Sequence, residues 1–298
     1  MNGIVVVDKP SEWTSHDVVA KFRGIAKTKS VGHLGTLDPI ATGVLPLIVG
    51  NVTRLARFYT KADKTYEAVV RFGFATDTYD RAGKVISEVS NALPELAAIE
   101  SALSGFVGPQ AQMPPQYSAK KVAGRAAYES ARRGIAVDLT PVEIEIFELR
   151  VEGYSAPDLR LRVKCSSGTY VRSVAHDLGV SLGCGAHLHE LRRVQSGDFG
   201  IAQARTLEQL QSLVAEGRLA EAFLPACDLL PEFPAVWVDP QTAAEIRQGR
   251  DFHVSPFRDW RGTQFVKAIE GASGEERLLA VGEAAMPNVY HPVVVLVN

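Results

Sequence analysis

The chain of 298 residues is 46% hydrophobic and sets 32 Lys and Arg against 34 Asp and Glu, a formal net charge of -2. That length and apolar content support one large core and a second, smaller one. The near-balanced charge excludes a generic polyanion binder, and no uninterrupted apolar stretch approaches the roughly 18 residues needed to span a bilayer.

The opening MNGIVVVDKPSEW has neither a basic leader nor a small-residue cleavage site, so no secretory signal is expected and the protein reads as soluble and cytoplasmic. GIVVVDKP predicts a buried strand stopped by proline, and TSHDVVAKFRGIAK a helix with Thr14 or Ser15 at its N-cap. VGHLGTLDPIAT is a glycine-rich loop, followed by a strand in GVLPLIVG and a helix through TRLARFY. TYEAVVRFGF alternates as a strand does; the polar turn DTYDRAG separates it from a second short strand, KVISEV.

A helix is predicted over PELAAIESALSGF. The next stretch, AQMPPQYSAKKVAGRAAYESARRG, predicts an irregular entry into a helix that carries Lys120, Lys121, Arg125, Arg132 and Arg133. Two long strands follow, VEIEIFELRVEGY and LRLRVKCSSG, the second ending in a Ser-Ser-Gly turn that opens a helix, TYVRSVAHDLGVSLG. HLHELRRVQSGDF predicts another strand and TLEQLQSLVAEGRLAEAF an amphipathic helix. Beyond Pro231 the pattern changes to short β-like pieces, VWV, FHV, QFVKAIE, RLLAVGEA and HPVVVLVN. With no regular βαβ alternation, the expected fold is α+β with a mixed or antiparallel sheet over residues 1–230, and a small β-rich domain over 231–298.

Charge is unevenly spread: residues 1–200 carry 24 Lys and Arg against 21 Asp and Glu, residues 201–298 carry 8 against 13. A nucleic-acid surface therefore belongs to the first part, as a local patch. Three widely spaced cysteines, Cys165, Cys184 and Cys227, fit reduced thiols better than a disulfide framework. Cys184, His187 and His189 raise a zinc question, but no second C-x-x-C or H-x-x-x-H half accompanies them, and no metal is expected.

Asp38 is the only acid in VGHLGTLDPIATGVLPLIVG. Pro39 disfavours the helical region for it, which predicts an extended or turn conformation at a fixed loop position. An Asp-Pro turn bonded to its own backbone explains the residue equally well from spacing alone. Phosphate-cradling and dinucleotide-binding glycine patterns are missing. The loop holds one carboxylate where a glycosidase needs two, and Ile40 stands where an aspartyl-phosphate enzyme would want a further acid. A solitary nucleophile or electrostatic stabiliser without metal is the functional role left.

GHLGTLDPIATGVLPL resembles the active-site motif of the bacterial tRNA pseudouridine-55 synthases, the B family. In the family's order, VVVDKPSEWTSHDVV resembles its first motif, DKTYEAVVRFGFATDTYDRAG its tyrosine-bearing strand, PPQYSAKKVAGRAAYESAR its RNA-gripping insertion (about residues 109–140) and CSSGTYVRSVAHDLGVSLGCGAHLHELRR its late motif. The resemblance spans about residues 3–195. It implies isomerisation of uridine to pseudouridine at position 55 of the tRNA T-loop, with tRNA as the partner and no cofactor.

By the same resemblance Asp38 is the catalytic carboxylate, acting by covalent attack or by removal of a ribose proton, and Arg172 is the arginine that pairs with it. Tyr66 matches the tyrosine that stacks on the extruded uracil and serves the late proton transfer. His33 matches a histidine that holds the RNA loop open, Tyr170 and Leu191 line the uracil pocket, and Lys9 supports the active-site loop. Lys120, Lys121, Arg125 and Arg132 are the expected phosphate contacts, and residues 232–298 resemble a small β-domain of the PUA type. Two other readings stay open on the residues alone: a metal-free hydrolase with Asp38 as nucleophile, and a non-catalytic tRNA-binding or tRNA-folding protein.

Overall fold

The computed structural model describes residues 2–117, 139–271 and 276–296, with the backbone of 121–122 and 125–126. Its main sheet begins with β1 (Gly3–Lys9), then β2 (Val31–His33), β3 (Thr42–Val49), β4 (Lys64–Phe72) and β5 (Gly108–Gln112). Two short strands follow, β6 (Lys121–Val122) and β7 (Arg125–Ala126), then β8 (Val142–Ser155), β9 (Asp158–Cys165), β10 (Ala186–Ser196) and β11 (Phe199–Gly200). The sheet order is β1-β3-β10-β4-β9-β8-β5, with β2 on β3 and β11 on β10. Its pairs are antiparallel except β3 with β10, where Gly43 stands beside Arg193.

The expected α+β class with a mixed sheet is what the chain adopts. Strand β1 is buried on both faces, which is why Ile4 to Val7 read as an unbroken apolar run. Val5 and Val7 join one core with Leu45, Leu47, Ala68 and Val70, while Ile4 and Val6 join another with Val44 and Ile48. Helix α1 (Ser15–Ala26) closes the first core with Val18 and Phe22, and starts at a full capping box between Thr14 and Asp17.

The remaining helices are α2 (Ala56–Tyr59), α3 (Leu96–Leu103), α4 (Val171–Ser181), α5 (Leu207–Ala215) and α6 (Pro240–Arg247). The second sheet has one strand before the last helix, β12 (Ala235–Val238), and four after it, β13 (Phe252–His253), β14 (Phe265–Glu270), β15 (Arg277–Met286) and β16 (Val289–Val295), in the order β12-β14-β15-β16-β13. The second sheet shares the core of Ile4, Val6 and Ile48 through Leu278, Val281, Val294 and Leu296.

Four expectations are corrected. KVISEV makes no strand: Val85 forms one isolated bridge to Thr76, and Val85, Ile86 and Val89 are exposed, so the alternation has no sheet to join. The helix expected around Lys121 and Arg125 is instead two paired antiparallel strands, Lys121 opposite Ala126 and Val122 opposite Arg125. Lys120, Arg132 and Arg133 lie outside the described residues. Helix α5 stops at Ala215, and Gly217 takes a positive φ of 73°, so Leu219–Ala222 forms a separate 3-10 turn. The helix expected through TRLARFY is α-helical only over its last four residues, α2, a single turn; its first three belong to a 3-10 turn, Gly50–Leu55.

Candidate active site

The lone aspartate sits on a loop fastened at nearly every residue. Arg193 donates to the carbonyls of Gly35 (3.0 Å) and Thr36 (3.3 Å). The Leu37 amide donates to Ser15 Oγ at 2.8 Å, and that hydroxyl donates back to the Leu37 carbonyl at 3.2 Å. Lys9 Nζ reaches the carbonyls of Pro10, Trp13 and Pro39, and the Glu12 amide also donates to Pro39 O at 2.8 Å. The DKPSEWTS segment thus clamps the loop that carries Asp38. The Asp-Pro turn is present too, Ala41 N donating to Asp38 O at 3.0 Å, but through the backbone; the side chain is left for another partner.

That partner is Arg172. Its Nη2 donates to Asp38 Oδ1 at 3.0 Å and its Nε lies 2.8 Å from Oδ2, a contact that is electrostatic, the Nε–H not being aligned for a hydrogen bond. The guanidinium is 5% exposed and the carboxylate 32%, so the cation is buried behind an anion that still faces an opening. Arg172 also donates to Thr78 O (3.2 Å) and Tyr117 O (3.1 Å), and Asp80 Oδ2 lies 3.8 Å from Nη1. Asp80 is itself fixed by Thr78 Oγ1 at 2.7 Å and the Ala82 amide at 3.0 Å.

Asp38 and Arg172 border a cavity of about 260 Å³ whose wall includes Tyr66, Tyr170, Leu191 and Arg193. Tyr66 comes from β4, in register with Arg193 on one side and Val163 on the other. Burial pushes its phenol above the ordinary range, with Arg193 pulling the other way; the ring is neutral near pH 7. Tyr170 caps α4 and is gripped by buried Gln112, which accepts from its amide (2.8 Å) and donates to its carbonyl (3.1 Å). Leu191, in register with Ala68 of β4, supplies an apolar patch.

His33 does not line this cavity. It sits on β2, half-buried, with Nδ1 shut away from water and without a hydrogen-bond partner among the described residues. Burial, then Arg193 and His16, hold its imidazole below the usual range, so it is neutral. Of the expected phosphate contacts, Lys121 and Arg125 are described as backbone only, and Lys120 and Arg132 fall outside the described residues. Reading the sequence missed Ser15, Asp80, Gln112 and Arg193. Ser15, Asp80 and Arg193 stood inside quoted motifs; Gln112 acts only once distant strands meet.

Among the described residues no group of three or more His, Cys, Asp and Glu forms a metal site, and Cys165, Cys184 and Cys227 are free. No described helix is long and apolar enough to cross a membrane.

Comparison with known proteins gives two adjoining matches: the TruB family pseudouridylate synthase N-terminal domain over residues 23–171, and the tRNA pseudouridylate synthase B C-terminal domain over 172–230. A protein of Solibacter usitatus named tRNA pseudouridine synthase B is 56% identical across 99% of this chain and 100% of its own length. The chain belongs to the TruB family of pseudouridylate synthases. A Geobacter sulfurreducens protein of the same name is 42% identical over 84% of this chain and 82% of its own. A solved H/ACA RNP bound to a substrate RNA containing 2'-deoxyuridine superposes with a TM-score of 0.73 at 24% identity, covering 99% of this chain and 85% of that one. An archaeal box H/ACA sRNP Nop10-Cbf5 complex gives 0.70 at 22% identity over 99% and 86%; both show the shared fold. The cavity draws on both TruB segments, Asp38, Tyr66 and Tyr170 lying in the first and Arg172, Leu191 and Arg193 in the second.

Proposed function

We propose that this TruB-family enzyme isomerises uridine to pseudouridine at position 55 in the T-loop of tRNA, with Asp38 as the catalytic carboxylate. The observation that carries this reading is the forked contact of buried Arg172 with Asp38 at the wall of a cavity shared with Tyr66, Tyr170 and Leu191. The reaction breaks the bond from ribose C1' to uracil N1, turns the base and joins C5 to the same carbon. Nothing is oxidised and no group is imported.

A target base stacked inside an RNA loop must first be swung out, at a cost of a few kcal/mol. The Tyr66 ring offers a stacking face and Leu191 an apolar wall against which that cost is recovered. Covalent attack by Asp38 and removal of a ribose proton both require the ionised carboxylate. Arg172 holds and orients that carboxylate through its contacts with both oxygens. Lys9 acts at one remove, through the Pro39 carbonyl that it holds. His33 serves at the rim, where the loop of displaced nucleotides must be kept open.

Lys120, Lys121, Arg125 and Arg132 supply phosphate contacts from the insertion at 109–140. Residues 1–230 form the catalytic domain, and the β-rich residues 231–298 a PUA-like domain that supports it. The test is nucleoside analysis of a T-arm hairpin incubated with the purified protein. Conversion of one uridine to pseudouridine, without release of free uracil, is expected. Free uracil would indicate a hydrolase, and binding with unchanged nucleosides a non-catalytic RNA-binding protein.

A further inference from the structure

Arg193 is the largest side chain that the fold buries completely, at 1% exposure. Its neighbour Arg192 turns to the other face of β10 and is neutralised by a two-pronged ion pair with Asp8, at 3.0 and 2.7 Å. Arg193 is held by carbonyls instead: those of Val44 (2.7 Å), Gly35 (3.0 Å) and Thr36 (3.3 Å), with no carboxylate paired to it among the described residues. A buried cation is weak evidence for stability, since an apolar residue of similar volume often serves the fold as well. What such a residue would lack is the charge.

The position of that charge is specific. Strand β10 lies between β3 and β4, and Arg193 is in register with Gly43 on the first and Tyr66 on the second. Opposed residues of an antiparallel pair share a face, so the guanidinium and the phenol stand side by side in the cavity wall. Gly43 is required for this closeness: its φ is +96°, and a Cβ there would come within 2.2 Å of the Arg193 carbonyl oxygen.

We propose that Arg193 is a positioning residue for the isomerisation: its guanidinium fixes the loop that aims Asp38 and places a positive charge beside Tyr66, readying that oxygen to take the proton from C5. The inference rests on the reading of the cavity as a pseudouridine-forming site. After the base has been rejoined through C5, that carbon still carries its hydrogen. The C5–H bond breaks and its electron pair becomes the C5=C6 double bond as the N1=C6 pair moves to N1, which takes a proton from solvent; the C5 proton passes to the Tyr66 oxygen, which has released its own proton to solvent. A fixed cation makes that release easier.

The groups facing Tyr66 agree with this role. Burial drives its phenol up and Cys165 and Asp38 add to that, whereas the charge of Arg193 opposes them. Lys64, on the same strand and lining the same cavity, is itself lowered by burial first and Arg193 second. Arg172, a further cation of the wall, is turned to Asp38.

The test pairs Arg193→Met and Arg193→Lys with T-arm RNA carrying either hydrogen or deuterium at uracil C5. Arg193→Met should lose about 100-fold in kcat with KM within about threefold of wild type, and should gain a primary isotope effect because C5 deprotonation becomes limiting. Arg193→Lys, which keeps the charge, should recover a large part of the loss. A folded Arg193→Met enzyme with wild-type kcat and no isotope effect would overturn the proposal, as would a lysine variant no better than methionine. Should the methionine variant not fold, carbon-13 labelling of tyrosine Cζ in the wild-type protein decides: Tyr66 must titrate ahead of Tyr59, which is pushed up by burial with Asp198 and Glu232 adding to it, and the reverse order would overturn the proposal. A wild-type protein that makes no pseudouridine would refute the functional reading itself, whereas active wild type with indifferent variants refutes only the role of Arg193.

Discussion

At the scale of single residues, the site is an arrangement of unequal burial. Arg172 is shut in at 5% exposure while its partner Asp38 keeps 32%, so the cation is held within the fold and the anion faces the cavity. Arg172→Lys keeps charge but loses the planar fork, and turnover should fall about 100-fold or more. Asp80→Asn should cost less, about tenfold, because Asp80 meets only Nη1, and at 3.8 Å. Steady-state rates of folded variants check both.

Lys9 yields a pH prediction at the same scale. Burial brings its ammonium down from 10.5 to about 8, with Asp38 partly opposing. Between those values the unfolded chain holds the proton and the folded protein does not, so this group makes stability rise with pH across the window. Activity should run the other way. A neutral amine has two hydrogens for three carbonyls, so the Pro39 end of the loop slackens as pH passes about 8. A pH–rate profile falling above that point while the melting temperature does not fall, and flattened in Lys9→Met, is the expected result.

At the scale of elements, the loop between β2 and β3 is ordered by the strand and helix that precede it. Ser15 is buried beneath the loop and meets both polar backbone groups of Leu37. Ser15→Ala strands them, and should cost about 1–3 kcal/mol of stability in a denaturant titration together with part of kcat. Elements with a strong period and a local stop signal, such as β1 before Pro10 and α1 with its Thr14 cap, were legible in the sequence. So was the exceptional character of Asp38, through Pro39 and the lack of nearby acids. Its partner was not: Arg172 lies 134 residues away, and only likeness to a family pointed to it. KVISEV shows the converse failure. Its alternation is real, but a strand needs a neighbour, and neighbours are set by tertiary structure.

At the scale of the whole molecule, the two sheets are joined through one apolar cluster in which Ile4, Val6 and Ile48 meet Leu278, Val281 and Val294. Lys267 adds a buried bridge, donating to Cys227 O at 2.8 Å and Leu229 O at 2.9 Å. Heat should therefore unfold the chain in one cooperative transition, and a chain cut after residue 230 should melt lower and aggregate; two separate calorimetric transitions would contradict this. Affinity for tRNA should fall steeply with added salt. Lys121→Ala and Arg125→Ala should each lower that salt slope by about one while leaving the single-turnover rate unchanged.

The most direct measurement is the single-turnover yield of pseudouridine at position 55 of an unmodified tRNA, wild type beside Asp38→Asn, with RNA binding measured on the same preparations. The substitution keeps the size of the side chain and removes its charge. The expected result is complete conversion by wild type, and tRNA binding within about threefold of wild type but no pseudouridine from Asp38→Asn. Pseudouridine formed by Asp38→Asn within about tenfold of the wild-type rate would contradict the account.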